Sequence, residues 1–412
     1  MVPADALWLC AALAAIVPLG MWLTKLLPLP AETLWFALGL VASIGARFGD
    51  ATALDALDWL PPTLWSVVLP LFVFVRAFRI DRRALGFHLF PVVAITVLAV
   101  GTGGAAMAAT LTQFVPGAIP WTAAVILGVS LAAIDAGAVT TTLGRLVPRG
   151  VPILLGGEAV FAGAIAYALI DVALGMHARA EPADAPMLLE RFAIQFGAGA
   201  AIGGLLGWLA IALARFATKD VLPAALVAGL ALCAHQVAQA LGVSGVAACL
   251  VAGLAAGAAT DPNAAPRIST ALSTAIRGAL FALAGAWLPS VASAAPPAVL
   301  ALAVAAMVCA RLATVHALTW TVARLAKMGL TRRERWLLCA FSARGANTIG
   351  LVLALGASAH WVPVVRSIAL AVVAFDLLVT ASASRPLARR FGNPPFGPPG
   401  TRLAAIEPRS PI

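Results

Sequence analysis

Leu131-Ala-Ala-Ile-Asp-Ala-Gly-Ala-Val139 sets one carboxylate, Asp135, inside an apolar run from about 121 to 143 that is long enough to cross a bilayer. A charge near the centre of a membrane helix costs about 2.5–3.5 kcal/mol on insertion scales, so function or pairing is needed to explain it. Three other apolar stretches carry the same signature. Glu158 lies in Gly156-Gly-Glu-Ala-Val-Phe-Ala-Gly163, Arg344 in Cys339-Ala-Phe-Ser-Ala-Arg-Gly-Ala-Asn347, and Asp376 in Ala374-Phe-Asp-Leu-Leu378. The pattern reads as an all-α, polytopic membrane protein with a polar site inside its helix bundle.

The composition agrees. Of 412 residues, 62% are hydrophobic and only 11% charged, with a mean hydropathy of +0.99. Lipid covers that much apolar surface directly, whereas a water-soluble fold needs a polar shell. Stretches of about 20 residues fit to span run near 5–24, 31–46, 59–78, 86–110, 121–143, 153–175, 189–213, 220–238, 242–258, 273–292, 297–321, 335–356 and 364–384, about thirteen in all. Ala4 to Thr24 lacks the basic start of a secretory signal and is taken as the first span. Residues 1–384 are expected to form one transmembrane unit. Residues 385–412, with Arg389, Arg390 and a Pro/Gly-rich end, are expected to be a disordered cytoplasmic tail.

The net charge of +10 is spread over short connections and does not form a stripe interleaved with aromatics, which argues against a nucleic-acid partner. Its distribution instead orients the chain. Lys25, Arg79, Arg82, Arg83, Arg145, Arg149, Arg215, Lys219 and Arg267 follow odd-numbered spans, as do the arginines after 320 and after 384. The opposite connections are nearly bare or acidic, as at Asp50, Asp55 and Asp58. That alternation puts the N-terminus outside and the C-terminus in the cytoplasm. The three lysines show that the chain uses arginine for positive charge generally, so its arginines do not imply phosphate chemistry.

The residues themselves suggest an internal ion pair between Glu158 and Arg344, since neither is stable alone in a low dielectric. Asp135 is then left as the acid able to gain and lose a proton. Ser342, Asn347 and Thr348 offer neutral oxygens near Arg344, and Asp376 is a further candidate for lining the path. Arg366 lies nearly three helical turns before Asp376, too far to be its neighbour on one helix. His235 reads as a packing histidine and the five cysteines as small buried hydrophobes. Gly199, Gly203 and Gly207 share one helical face where another backbone can approach closely. No HExxH, P-loop, GxSxG or GxGxxG with an acidic partner is present, so no enzyme, metal site or cofactor is indicated.

In order and spacing the segments from about Ala31 to Ala388 resemble the monovalent cation:proton antiporters, specifically the NhaP-like and eukaryotic sodium/proton exchangers. Pro61-Pro62 with Leu64, then Leu69-Pro-Leu-Phe-Val-Phe74, resembles the third-span signature of that family. Gly128 to Val139 resembles its unwound fifth span, with Ile134-Asp135-Ala136 where Thr-Asp-Pro is usual. Gly157-Glu158-Ala159 resembles the Gly-Glu-Ser that opens the ion-binding helix. Leu241-Gly-Val-Ser-Gly-Val246, Val251-Ala-Gly253, Arg311 and Ala343-Arg344-Gly345 resemble further family positions. Thr260-Asp261-Pro262 looks like a second match but lacks an acidic partner helix.

The resemblance implies a 13-helix inverted-repeat fold with crossed broken helices. It implies a core around 86–175 and 273–384 that rocks against a dimerisation domain in a homodimer of the bacterial plasma (inner) membrane. It implies exchange of a monovalent cation, Na+ or K+, for protons. One departure opens an alternative. The family carries Asn-Asp after its glutamate, and here those positions are Ala162 and Gly163. Asp135 then inherits the carrier role, or the chain is a divergent scaffold that passes another small solute, leaks ions or regulates a partner.

Overall fold

The computed structural model describes residues 4–27, 29–47, 59–80, 82–114, 119–135, 150–181, 184–214, 222–259, 266–325, 330–356 and 359–391. Helices follow the apolar stretches in order: α1 (Ala4–Leu23), α2 (Ala31–Arg47), α3 (Leu60–Thr63) continuing into α4 (Leu69–Phe78), α5 (Arg82–Phe114), α6 (Trp121–Ala132), α7 (Gly150–Ala178) and α8 (Ala185–Ala214). Then come α9 (Leu222–Ala240), α10 (Gly245–Ala259), α11 (Pro266–Val291), α12 (Pro297–Leu325), α13 (Arg332–Ala340), α14 (Ala346–Leu353) and α15 (Val362–Phe391). Among the described residues seven helical spans are long and apolar enough to cross a membrane, and four shorter apolar helices accompany them. Large apolar side chains such as Trp8, Leu205, Trp208 and Trp320 point outward, where lipid is the only good solvent for them.

Two expectations shift. The last helix runs past 384 to Phe391, because Leu387, Ala388, Arg389 and Arg390 are strong helix formers that carry it into the basic flank. All five cysteines are free, but Cys10, Cys233 and Cys309 are exposed and only Cys249 is buried. Asp50, Asp55, Asp58, Arg145, Arg149, Arg215, Lys219 and Thr260-Asp261-Pro262 lie outside the described residues.

Small residues set the helix–helix spacing. A methyl group added at Gly199 or Gly203 would overlap the carbonyl of Ser244 or Ala248, and at Gly207 it would come within 2.7 Å of Ala255 Cβ. The glycine face of α8 is therefore the seam with α10, as its spacing predicts. The same device joins α2 to α11, where Gly39 abuts the Ala282 carbonyl and Gly285 the Phe36 carbonyl. Gly203→Val is expected to cost about 1–3 kcal/mol by overpacking this seam. A thermal melt of the solubilised protein that matches wild type would refute that reading.

Between α3 and α4 the chain makes one wider π-helical turn, Leu64–Val68, in which Leu69 N–H donates to the Leu64 carbonyl. Pro70 explains it: proline has no N–H to offer the Ser66 carbonyl, and its ring crowds the preceding turn. The Trp65 carbonyl would bond residue 70 in a π-turn, so it too is left over. The hydroxyl of Tyr167 on α7 donates to it at 2.6 Å, and the two rings stack with centroids 4.1 Å apart. Asp171, one turn further along α7, lies near the Trp65 and Gln239 side chains. His235 packs edge-on to Tyr167 at 6.5 Å, a packing histidine as its setting suggests. Tyr167→Phe is expected to cost about 1–3 kcal/mol, because it strands a buried carbonyl. An unchanged melting temperature would show that the carbonyl finds another partner.

Candidate ion-binding site

The ends of two helices meet at one place. α6 stops at Ala132, and Ala133 is extended, with φ −76° and ψ 92°. α13 stops at Ala340, and the chain runs through Phe341–Gly345 before α14 begins. The two breaks pair antiparallel through Ile134 and Arg344, and Asp135 N–H donates to the Ala343 carbonyl at 2.8 Å. Residues 136–149, which follow the first break, lie outside the described residues. Gly345 permits the crossing: a Cβ there would come within 2.8 Å of Asp135 Cβ.

Interrupting a helix strands carbonyls at one end and N–H groups at the other. Side chains from the first turn of α14 close the broken end of α6. Thr348 Oγ1 lies 2.9 Å from the Ser130 carbonyl and 3.0 Å from that of Ala133. Asn347 Nδ2 donates to Ile134 O at 2.9 Å and to Ala159 O at 2.7 Å. Ala346 N–H, at the positive end of α14, donates to Asp135 Oδ2 at 3.2 Å. The opposite end of α14 is closed by Arg366, which donates to the carbonyls of Val352, Leu353 and Leu355 and lies over the Trp287 ring. Ser342 Oγ bonds the Cys339 carbonyl within the break and does not reach toward Asp135.

The buried charges pair differently from the sequence expectation. Glu158 is fully buried and its partner is Arg311 on α12, not Arg344. Arg311 meets both carboxylate oxygens, Nη2 to Oε2 at 3.1 Å, and also donates to the Leu338 carbonyl at the end of α13. Arg344 turns to Asp376 on α15: its backbone N–H donates to Oδ2 at 2.8 Å, with Nη1 at 3.5 Å. Its Nε also donates to the Leu131 carbonyl at 3.1 Å. Asp376 is thus an anchor for the second break. The pairing has a geometric cause: the break turns the Arg344 side chain toward α15, while α12 presents Arg311 to Glu158.

Asp135 is flanked by two arginines. Arg277 Nε on α11 lies 3.3 Å from Oδ2, and Arg76 Nη2 on α4 lies 3.6 Å from Oδ1. Arg277 is shared with Glu32 on α2. Arg76 Nη1 donates to Asn347 Oδ1 at 3.2 Å, and its guanidinium sits over the Phe72 ring. Asp135, Arg277, Glu32, Arg344, Gly345 and Asp376 line a small polar cavity of about 30 Å³, roomy enough to admit water.

Arg76, Arg277, Glu32 and Arg366 were not among the sequence candidates. The signal was present, since each lies in an apolar span, as Arg344 does. The space beside Gly163 is taken by Asn347: a Cβ at Gly163 would come within 3.0 Å of Asn347 Nδ2. Ala162 is fully buried. The Asn347 amide therefore fills the space beside Gly163 that a larger side chain there would need.

A family profile described as sodium/hydrogen exchanger, transmembrane, matches residues 11–390. The Na(+)/H(+) antiporter NhaS2 of Synechocystis sp. is 29% identical over 201 residues, covering 48% of this chain and 36% of that relative's length. The sodium proton antiporter MjNhaP1 from Methanocaldococcus jannaschii, solved at pH 8, superposes with a TM-score of 0.76 over 94% of this chain and 99% of that one, at 17% identity. A second structure of the same antiporter, from electron microscopy, gives 0.66 over 93% and 96%, at 18% identity. These superpositions show the fold: an all-α antiporter architecture with crossed broken helices.

Proposed function

Because the chain belongs to the sodium/hydrogen exchanger family, we propose that it exchanges a monovalent cation, Na+ or K+, for protons across a bacterial plasma membrane. The observation that carries this reading is Asp135, a carboxylate held where the ends of two helices meet and pair. Asn347 supplies a neutral oxygen beside it, and the unwound backbone supplies carbonyls. A carboxylate that holds either a proton or a cation couples the two fluxes, because one occupant excludes the other. The relatives named above, themselves called sodium or Na(+)/H(+) antiporters, support the assignment.

In this reading α5–α7 and α12–α15 form a core that rocks against a scaffold containing α2, α4 and α11, in a homodimer with its N-terminus outside and C-terminus in the cytoplasm. The resemblance counts α11 with the core at 273–291, but this helix packs backbone to backbone on α2 and is placed with the scaffold. The ion pairs sort accordingly. Glu158–Arg311 and Arg344–Asp376 lie within the core, Glu32–Arg277 lies within the scaffold, and both arginine contacts of Asp135 cross between the two. Contacts inside each body stay fixed while those at the carrier break and re-form. The test is purified protein in proteoliposomes with a lumenal pH dye, given sodium, lithium, potassium or choline in turn. Proton flux triggered by an alkali cation and not by choline is expected. Equal responses to all four would refute exchange.

A further inference from the structure

We propose that Arg76 is a resident counter-cation that sets which ions the site accepts, occupying the place between Asp135 and Asn347 that a transported cation must take. This rests on the exchange reading above. The guanidinium touches the two side-chain oxygens best placed to ligate a cation: Asn347 Oδ1 at 3.2 Å and Asp135 Oδ1 at 3.6 Å. Asn347 cannot turn its oxygen elsewhere, since its amide nitrogen is spent on Ile134 O and Ala159 O. Asp135 Oδ2 is likewise engaged, by Ala346 N–H and Arg277. Asp135 Oδ1 and Asn347 Oδ1 are thus the two oxygens that Arg76 bridges and that an incoming ion must contest.

Arg76 and Arg277 differ in what keeps them there. Arg277 has Glu32 as a second carboxylate and stays neutralised whatever happens at Asp135. Among the described residues Arg76 meets one carboxylate, Asp135, at a distance longer than a hydrogen bond, and rests on the Phe72 ring face. A loosely held charge on a flexible stem can withdraw when a proton or an ion neutralises Asp135. Gly163 completes the arrangement by leaving room for the Asn347 amide that Arg76 binds. The positive charge that fills the empty site is thus carried by the protein.

The experiment is cation binding to purified protein, read by calorimetry or thermal stabilisation, with NaCl, LiCl or KCl titrated against choline chloride at constant ionic strength. Arg76→Gln is expected to lower the half-saturating concentration of the preferred cation by about tenfold or more. Adding Asp135→Asn to that variant is expected to erase the gain. Unchanged or weaker binding by folded Arg76→Gln would overturn the proposal. Should that variant not purify as folded protein, Arg76→Lys reads the same contest. Lysine loses the fork that bridges both oxygens, so binding must tighten by about threefold, and no tightening overturns the role. Wild-type flux is scored separately. Tighter binding in Arg76→Gln with no cation-driven flux in wild type keeps the role of Arg76 and refutes exchange; flux in wild type with no gain in the variant does the reverse.

Discussion

Asp135→Asn abolishes cation-triggered proton flux in proteoliposomes while the protein still purifies as a folded species. The first half follows from chemistry: an amide neither takes up a proton at working pH nor offers the charge that holds a dehydrated cation. The second follows from the neighbours. Asparagine keeps an oxygen for Ala346 N–H, Arg277 keeps Glu32, and Arg76 keeps Asn347 and the Phe72 ring. Arg76 loses the one carboxylate it meets among the described residues, but that contact is 3.6 Å long against the two-oxygen bond of Arg311 to Glu158, so the cost is expected to fall below that of breaking a tight buried pair. Flux at the level of empty liposomes is the expected measurement. Cation-dependent flux retained in the variant would remove Asp135 from the carrier role.

Glu158→Ala has the largest effect on stability. It leaves Arg311 charged, buried and without a carboxylate between α7 and α12, which costs about 3–5 kcal/mol. Arg311→Ala is expected to cost a similar amount. A double replacement with apolar residues of matching size, Glu158→Leu with Arg311→Met, is expected to recover much of the loss, because neither charge then remains to be solvated. A double-mutant cycle read by thermal unfolding distinguishes the pairing seen here from the one expected from sequence. Strong coupling between Glu158 and Arg311, and weak coupling between Glu158 and Arg344, is the expected outcome; the opposite pattern would refute the pairing.

The membrane architecture was legible because lipid imposes one length and one polarity on every spanning helix. Asp135, Glu158, Arg344 and Asp376 were legible for the same reason: a charge in such a run stands out. Which charge meets which was not. That depends on how far a helix is rotated about its axis, and an interruption such as Phe341–Gly345 resets the rotation in a way that side-chain spacing does not encode. Glu158 and Arg344 look like natural partners along the chain, yet the break sends Arg344 to Asp376 while α12 delivers Arg311. Arg76 and Arg277 were passed over although the rule that singled out Arg344 applies to them equally. The breaks themselves came from resemblance alone. The hydrogen bonds that close them, from Asn347, Thr348 and Arg366, belong to three-dimensional placement.

The wide turn at Leu64–Val68 holds one residue more than an α-helical turn needs, and in an α-helix each residue advances the facing direction by about 100°. The wider turn absorbs that residue, so Trp65 within it meets Tyr167 while Arg76 beyond it meets Asp135. Losing the extra residue would let this turn close as an ordinary α-helical one with Arg76 still facing Asp135, whereas losing one residue from the regular helix between Leu69 and Arg76 would swing Arg76 round by about 100°. The smallest genetic event that re-tunes the ion chemistry of this chain is thus a three-nucleotide deletion between Leu69 and Arg76, and the wide turn is the one place on this span where such a loss is absorbed.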